Sequence, residues 1–526
     1  MNCDRDLATD ANGAARVFCM TFRRDNKVLL VNAERYVVHI VRSMLVSFWP
    51  DGLRNECEHS TGVWRLQFSG APFAASTSKV DASNIRRLCC SWLAGLHKAG
   101  WTLVASSDLS STKDLTTWFF VSTRQRPMTN VEISDFSQVD TSMLCVSVSK
   151  KDRLQMLNAP DHLFDELQAA TRPWLQDALV DDSDSFRFRS SFNVKIFGSP
   201  WQSDQTVEII KGRRILLSIF RRFQSHRCYY YGSANVKGTA DCLFFRIADL
   251  CEPLCSFAML SLSADDRLIL IDLPADVHPS IQKTINRTWK WGIRGVLPHE
   301  AQLSCQEYQL NNKPWNCDGD DQALARLMLA RLFELLVSVG WQVHCALDLS
   351  RRKDDTAAVV VRSCEPTAHR RHICLSPCET GTLWLLNCPA KTRDRLIQRV
   401  ATCWAPGVQK RTLKSFGYEW MLRGDPWVPR RGRPDGRQLM VALMEELLCD
   451  GWHVVCSADV SAKYAANNSA LVNVDADHQL PVNADVHALF FAKTIQPTGD
   501  HTPDDGCLLA AEENADNDGL VNTVAF

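Results

Sequence analysis

Three times in this sequence an aspartate is followed two residues on by a serine and shortly afterwards by a lysine. The sets are Asp108, Ser110 and Lys113; Asp348, Ser350 and Lys353; and Asp459, Ser461 and Lys463. A carboxylate, a hydroxyl and an ammonium on one loop are an inventory for holding a polar ligand. The same Asp and Ser also suit an Asx or Ser/Thr turn, whose side chains bond the backbone at the head of a hairpin loop. The turn is the preferred reading, because a reacting group is needed once, whereas a turn that maintains a fold is needed in every copy.

Tryptophans follow prolines at Trp201, Trp315 and Trp427, and Phe73 follows Pro72 in the same way. An exposed Trp in such a turn is a platform for a proline-rich peptide, a sugar or a base. A buried one anchors its loop through its large apolar area, and recurrence favours the anchor. Arg430, Arg431 and Arg433 sit in the loop beside Trp427, where they would meet phosphate or an acidic partner. With 59 basic and 60 acidic residues, however, the chain has no global field to draw it to nucleic acid. Cys364, His369, His372, Cys374 and Cys378 are of zinc-ligand types but lack a paired Cys-x-x-Cys knuckle, and Cys374 falls in what should be a strand. No metal or other cofactor is expected. The P-loop, dinucleotide-binding, zinc-protease and nucleophile-elbow motifs are all missing, which argues against an enzyme.

These residues are parts of a repeat. Ahead of each Pro-aromatic turn stands a tryptophan with a glycine three residues on: Trp49 and Gly52, Trp289 and Gly292, Trp404 and Gly407, with Trp174 and Asp177 as a worn copy. Ahead of each Asp-x-Ser stands a Gly-Trp pair: Gly100 and Trp101, Gly340 and Trp341, Gly451 and Trp452. The second copy of this last signature reads as Ser225 and His226, with Ser233 and Asn235 in the Asp and Ser places. Signatures recurring in fixed order at a fixed period mark a tandem repeat.

The patterns between the signatures give the elements that position them. Each copy opens with two short apolar stretches broken by a turn, as at 17–22 and 28–31, which predicts a β-hairpin. A helix follows, opened by Pro160, Pro274 or Pro389 in three of the copies, and the glycine of the tryptophan signature ends it. One strand then leads into the Pro-aromatic turn. In the next helix Ile85, Leu88, Cys89, Trp92, Leu93 and Leu96 form one apolar stripe. Two closing strands follow, joined by the Asp-x-Ser loop. The predicted unit is β-β-α-β-α-β-β, an α+β fold of an antiparallel sheet with two helices on one face, in four tandem diverged repeats.

The expected boundaries are a flexible N-terminus at 1–15 and modules at 16–123, 142–248, 256–362 and 371–493, with linkers at 124–141, 249–255 and 363–370. Module four carries an insertion at about 465–484. Residues 494–526 hold seven acids and no Lys or Arg, a composition expected to be disordered. A chain of 526 residues exceeds one hydrophobic core, and its 45% hydrophobic and 23% charged residues suit a globular protein. No apolar run reaches 18 residues, and the N-terminus has acids where a signal peptide needs a basic start, so neither a membrane nor export is expected. The 21 cysteines, an odd number scattered over apolar faces, suit a reducing, cytoplasmic setting.

The function expected from this is a non-enzymatic interaction or scaffold module with an unknown protein partner, nucleic acid being less favoured. Its rival is an enzyme or small-ligand binder with a site in a cleft between modules. The candidate binding residues are Trp201, Trp315, Trp427, Arg430, Arg431, Arg433 and the residues of the three Asp-x-Ser loops. A scaffold demands an exposed apolar or aromatic patch, whereas a ligand binder demands one pocket with convergent polar groups.

Overall fold

The computed structural model describes residues 15–495 except 24–25, 75–76, 110–113, 125–141, 182–190, 237–240, 299–303, 350–355, 429–435 and 462–485. Each quarter of the chain folds into the same unit. In the first, β1 (Val17–Arg23) and β2 (Lys27–Val31) form a hairpin, and α1 (Arg35–Phe48) crosses to a second hairpin, β3 (Leu53–Ser60) and β4 (Val63–Phe68). Helix α2 (Lys79–Lys98) then crosses back to β5 (Trp101–Ser107) and β6 (Asp114–Ser122). The strands lie in the order β3-β4-β2-β1-β6-β5, antiparallel throughout, with β3 and β5 at the two edges.

The second unit comprises β7 (Met143–Ser149), β8 (Arg153–Leu157), α3 (Asp161–Thr171), β9 (Leu175–Asp181), β10 (Ser191–Ile196), α4 (Thr206–Gln224), β11 (Cys228–Ala234) and β12 (Cys242–Ile247). The third comprises β13 (Phe257–Ser263), β14 (Arg267–Ile271), α5 (His278–Thr288), β15 (Ile293–Pro298), β16 (Cys305–Leu310), α6 (Gly319–Ser338), β17 (Trp341–Leu347) and β18 (Ala358–Ser363). The fourth comprises β19 (Arg370–Cys378), β20 (Thr382–Leu386), α7 (Ala390–Cys403), β21 (Val408–Lys414), β22 (Gly417–Leu422), α8 (Gly436–Cys449), β23 (His453–Ala458) and β24 (Ala488–Thr494). All four sheets share one strand order.

The four-repeat α+β fold follows the sequence pattern, with one strand more per module than the pattern indicates. The extra strand is β3 and its counterparts. Its residues, Leu53 to Ser60, are half-buried to exposed and mostly polar or charged, so no apolar alternation marks it. Polar and charged side chains there also suit an outer edge, where they discourage pairing with another chain.

The recurrent signatures hold the units together. Trp49, Trp289 and Trp404 end their helices, and Gly52, Gly292 and Gly407 turn the chain with φ of 69°, 66° and 75°. Each indole Nε1 donates across to the carbonyl that ends the second hairpin: Ser69 at 3.1 Å, Asn311 at 2.9 Å and Arg423 at 3.0 Å.

Both faces of each sheet are covered. The module's own two helices lie on one face, and the second helix of the preceding module lies on the other. Thus α2 packs on β7 and β8, α4 on β13 and β14, α6 on β19 and β20, and α8 returns to β1. Each hydrophobic core therefore joins one module's helices to its neighbour's back face, the last joining Leu439, Met440 and Leu443 of α8 to Val17, Cys19 and Phe119. Strands covered on both faces read as unbroken apolar runs, and every residue from Phe257 to Ser263 is buried. The same arrangement buries α2 all round, from Ala82 to Leu96. Heterologous contacts that close in this way make a ring, here of four modules in one chain.

Four arginines lie in these joints at one position of the second helix: Arg86, Arg213, Arg326 and Arg437, which are 9%, 1%, 1% and 3% exposed. The first strand of every module carries a buried hydroxyl at one position, Thr21, Ser147, Ser261 and Ser376. Across the joint between modules two and three, Arg213 Nε donates to Ser261 Oγ at 3.3 Å.

Candidate ligand site, a cavity on the ring axis

The closing strands β5, β11, β17 and β23 are edge strands, and the ring turns all four inward. Strand β23 packs against both β5 and β17, and β11 packs against β5. Each carries a bulge at the same place, leaving Val104, Tyr231, His344 and Val455 out of the ladder. A bulge bends its strand and re-aims side chains, and edges buried at the centre are closed to pairing with other chains.

Together the four strands enclose a cavity of about 200 Å³. Moving along the axis, its wall passes Thr102, Gln342 and His453, then Leu103, Tyr230, Val343 and Val454, then the bulge residues, and ends at Ser106, Ser233, Ala346 and Ser457. This last level also roofs a smaller cavity of about 70 Å³, which holds Asp108, Asn235, Asp241, Asp348, Asp459 and His487.

The Asp-x-Ser loops therefore meet on the axis, where they serve as joints. The residue that opens the second strand of each closing hairpin bonds the aspartate place of the next module. The Asp241 N–H donates to the Asp348 carbonyl at 2.9 Å, Ala357 N–H to Asp459 at 3.0 Å, and His487 N–H to Asp108 at 3.0 Å. Asp348 N–H returns a bond to Asp241 Oδ2 at 3.0 Å. In the first module Thr116 Oγ1 accepts from the Asn235 N–H at 2.9 Å. Ser461 N–H donates to Asp459 Oδ1 at 3.1 Å, an Asx turn. Ser110, Ser350, Arg430, Arg431, Arg433 and the three loop lysines lie outside the described residues.

Bulge alignment corrects the second copy of the Gly-Trp signature. With Tyr231 matched to Val104, the signature falls on Arg227 and Cys228, not on Ser225 and His226, and Asn235 takes the aspartate place. Arg227 keeps the left-handed backbone, φ 56°, that Gly100, Gly340 and Gly451 adopt at 81–85°. The polar residue types at Ser225 and Ser233 suggest a register two residues early, because a bulge is invisible in composition.

The Pro-aromatic tryptophans are anchors. Trp201, Trp315 and Trp427 are 1%, 0% and 1% exposed, leaving no ring face for a partner. Trp315 Nε1 donates to the Arg267 carbonyl and Trp427 Nε1 to that of Thr382, each at 2.8 Å. Of the Cys/His set, His369 is exposed while Cys374 and Cys378 are buried in β19. Among the described residues no group of three or more His, Cys, Asp or Glu is placed to hold a metal ion. No helix there is long and apolar enough to cross a membrane.

Burial governs the titrating groups around the axis. It drives the His344 pKa well below its usual range, with the Arg362 charge adding to the effect, so the ring is neutral. Aromatic rings of Phe220, Tyr230 and Phe257 surround that imidazole at 5.5–5.7 Å between centroids. Burial, then the nearby Arg370, lowers His372 to about 3, and burial lowers His487 to about 4. Asp241 moves the other way, raised by burial to about 7 against its hydrogen bonds.

The wall residues Tyr230, Gln342, His344 and His453 escape sequence reading as a site. The signal available for them is difference. They stand between the Gly-Trp and Asp signatures, where the copies otherwise agree, and each module supplies a different side chain.

Fold and cavity define a class, a single-chain closed ring of four α+β modules around an axial pocket. One family model matches the chain four times, over residues 16–121, 142–246, 256–362 and 371–478, and the chain belongs to that domain family, whose function is unknown. No curated protein and no solved structure matches it.

Proposed function

We propose that this chain is a ligand-binding protein whose site is the axial cavity. The observation that carries the reading is that edge strands of all four modules build one pocket whose wall differs from module to module. Apolar side chains line most of it, with a few polar groups converging from separate strands, which is the usual composition of a small-molecule site. Binding is favoured over catalysis because, among the described residues, no Asp or Glu lines the pocket to pair with His344, His372 or His453. The test is a thermal-shift screen of small metabolites against the full chain, repeated on Val455→Phe, which narrows the pocket from one strand. A ligand that stabilises the parent and not the variant supports the reading. Equal shifts in both overturn it.

A protein-scaffold role is the second reading, favoured by the segment joining modules two and three. There Leu250 and Leu254 are 81% and 67% exposed, an apolar surface of the kind a partner covers. A partner captured by the parent and lost by the Leu250→Ser, Leu254→Ser variant supports that role, and retention of the partner by the variant removes it.

A further inference from the structure

We infer that the ligand of the axial cavity is a small organic anion, a carboxylate on an apolar body, held with its charge toward Arg370. This rests on the reading of the cavity as the binding site. The axis is electrostatically polarised. At the end where β5, β17 and β23 begin, the wall holds Gln342, Arg362, Arg370, His372 and His453. Strand register places them together: Gln342 pairs with Arg362, and Ala492 pairs with both His372 and His453. At the other end, beyond the serine level, stand Asp108, Asp241, Asp348 and Asp459. An anion inside the pocket is pushed from the aspartate end and drawn to the arginine end.

The two arginines differ. Arg362 is 9% exposed and lies 4.0 Å from the Glu252 carboxylate, so its charge is partly answered. Arg370 is half-buried and lines the pocket. His372 beside it is 1% exposed, and its buried Nδ1 has no hydrogen-bond partner among the described residues. A guanidinium presents a planar fork that matches a carboxylate, and a neutral imidazole adds one further polar contact. Between the two ends, Leu103, Val104, Val343, Val454 and Val455 offer aliphatic surface to an apolar body. Among the described residues no carboxylate lines this cavity itself, so a ligand cation would find no counter-charge in direct contact.

The experiment is calorimetric titration of the full chain, and of its Arg370→Gln and His453→Gln variants, with octanoate, octan-1-ol and octylamine. Octanoate should bind at least tenfold more tightly than the alcohol, with the amine weakest. Arg370→Gln should weaken octanoate about tenfold, the usual size of one charge-assisted hydrogen bond, and leave the alcohol unchanged. The unchanged alcohol also reports that the variant is folded. His453→Gln should produce a smaller loss for octanoate alone. Alcohol or amine binding as well as octanoate, or an octanoate affinity indifferent to Arg370→Gln, overturns the anion inference while leaving the cavity as a site. Failure of all three probes to bind counts against both.

Discussion

The main-chain N–H of His487 in the fourth module donates to the carbonyl of Asp108 in the first, at 3.0 Å, and so ties the last strand of the fold to the loop after its fifth. The corresponding bonds join modules two to three and three to four, so the chain closes on itself with the joint it uses internally. The closing joint has a second fastening in Glu445 of α8. One carboxylate oxygen accepts from Asn32 Nδ2 at 3.1 Å and from the Val17 N–H at 3.4 Å, while the other takes Arg399 at 2.7 Å. Glu334 of α6 repeats the clasp on Asn387 and His372, at 2.8 and 2.9 Å.

Removing that fastening should loosen the ring. Glu445→Ala leaves the N–H of buried Val17 and the half-exposed Arg399 short of an acceptor, and it should lower stability by about 1–2 kcal/mol. Urea unfolding of the full chain measures it, with Glu334→Ala expected to behave alike. A change within the error of the midpoint would contradict the closed joint.

The Pro-aromatic anchors should fail on truncation. Trp427→Ala should destabilise by about 3–5 kcal/mol, the range for deleting a buried aromatic. Trp291, 47% exposed, is the internal comparison, and Trp291→Ala should change stability by less than about 1 kcal/mol. Thermal melts of the two variants check the contrast.

The left-handed position ahead of β17 favours glycine, although Arg227 holds its counterpart in module two. Gly340 has φ 85°, and a Cβ there would come within 3.2 Å of the Cys364 carbonyl. Gly340→Ala should cost about 1–2 kcal/mol. An Ala variant as stable as the parent would mean that the joint after module three relaxes freely.

Asp241 should give stability a pH dependence. Its folded pKa of about 7 stands above the ordinary carboxyl value, so between roughly 4 and 7 the folded state binds more proton than the unfolded one. Its contribution is complete below the unfolded pKa and is lost as pH rises through about 7. His487, lowered to about 4, acts oppositely, its contribution being lost as pH falls from about 6.5 toward 4. The difference between parent and Asp241→Asn should therefore shift steadily across pH 4–7, favouring the parent at the acid end. A flat difference in denaturant midpoints would show that this carboxyl is not so perturbed.

What could be read from the sequence was what every module shares. Trp49, Trp289 and Trp404, with their glycines, mark helix ends because cap chemistry is local, and the α2 stripe marks a helix because periodicity is local. The strand β3 escaped because its edge position leaves it polar. The register of β11 escaped because the bulge at Tyr231 leaves no compositional trace. The cavity escaped for a deeper reason. It forms only when four edge strands distant in sequence meet, and neither spacing nor residue type reports that α8 returns to β1. His372 drew notice as a metal ligand because of its cysteine neighbours, yet β19 buries it at the wall of the pocket.

The most direct test of this account is the stoichiometry of binding. A ligand identified by the screen should titrate calorimetrically at one molecule per chain and lose its heat in Val455→Phe, because four modules build one axial site. Four molecules per chain, or one that Val455→Phe leaves untouched, would place binding on the modules or their outer surface and contradict the axial site.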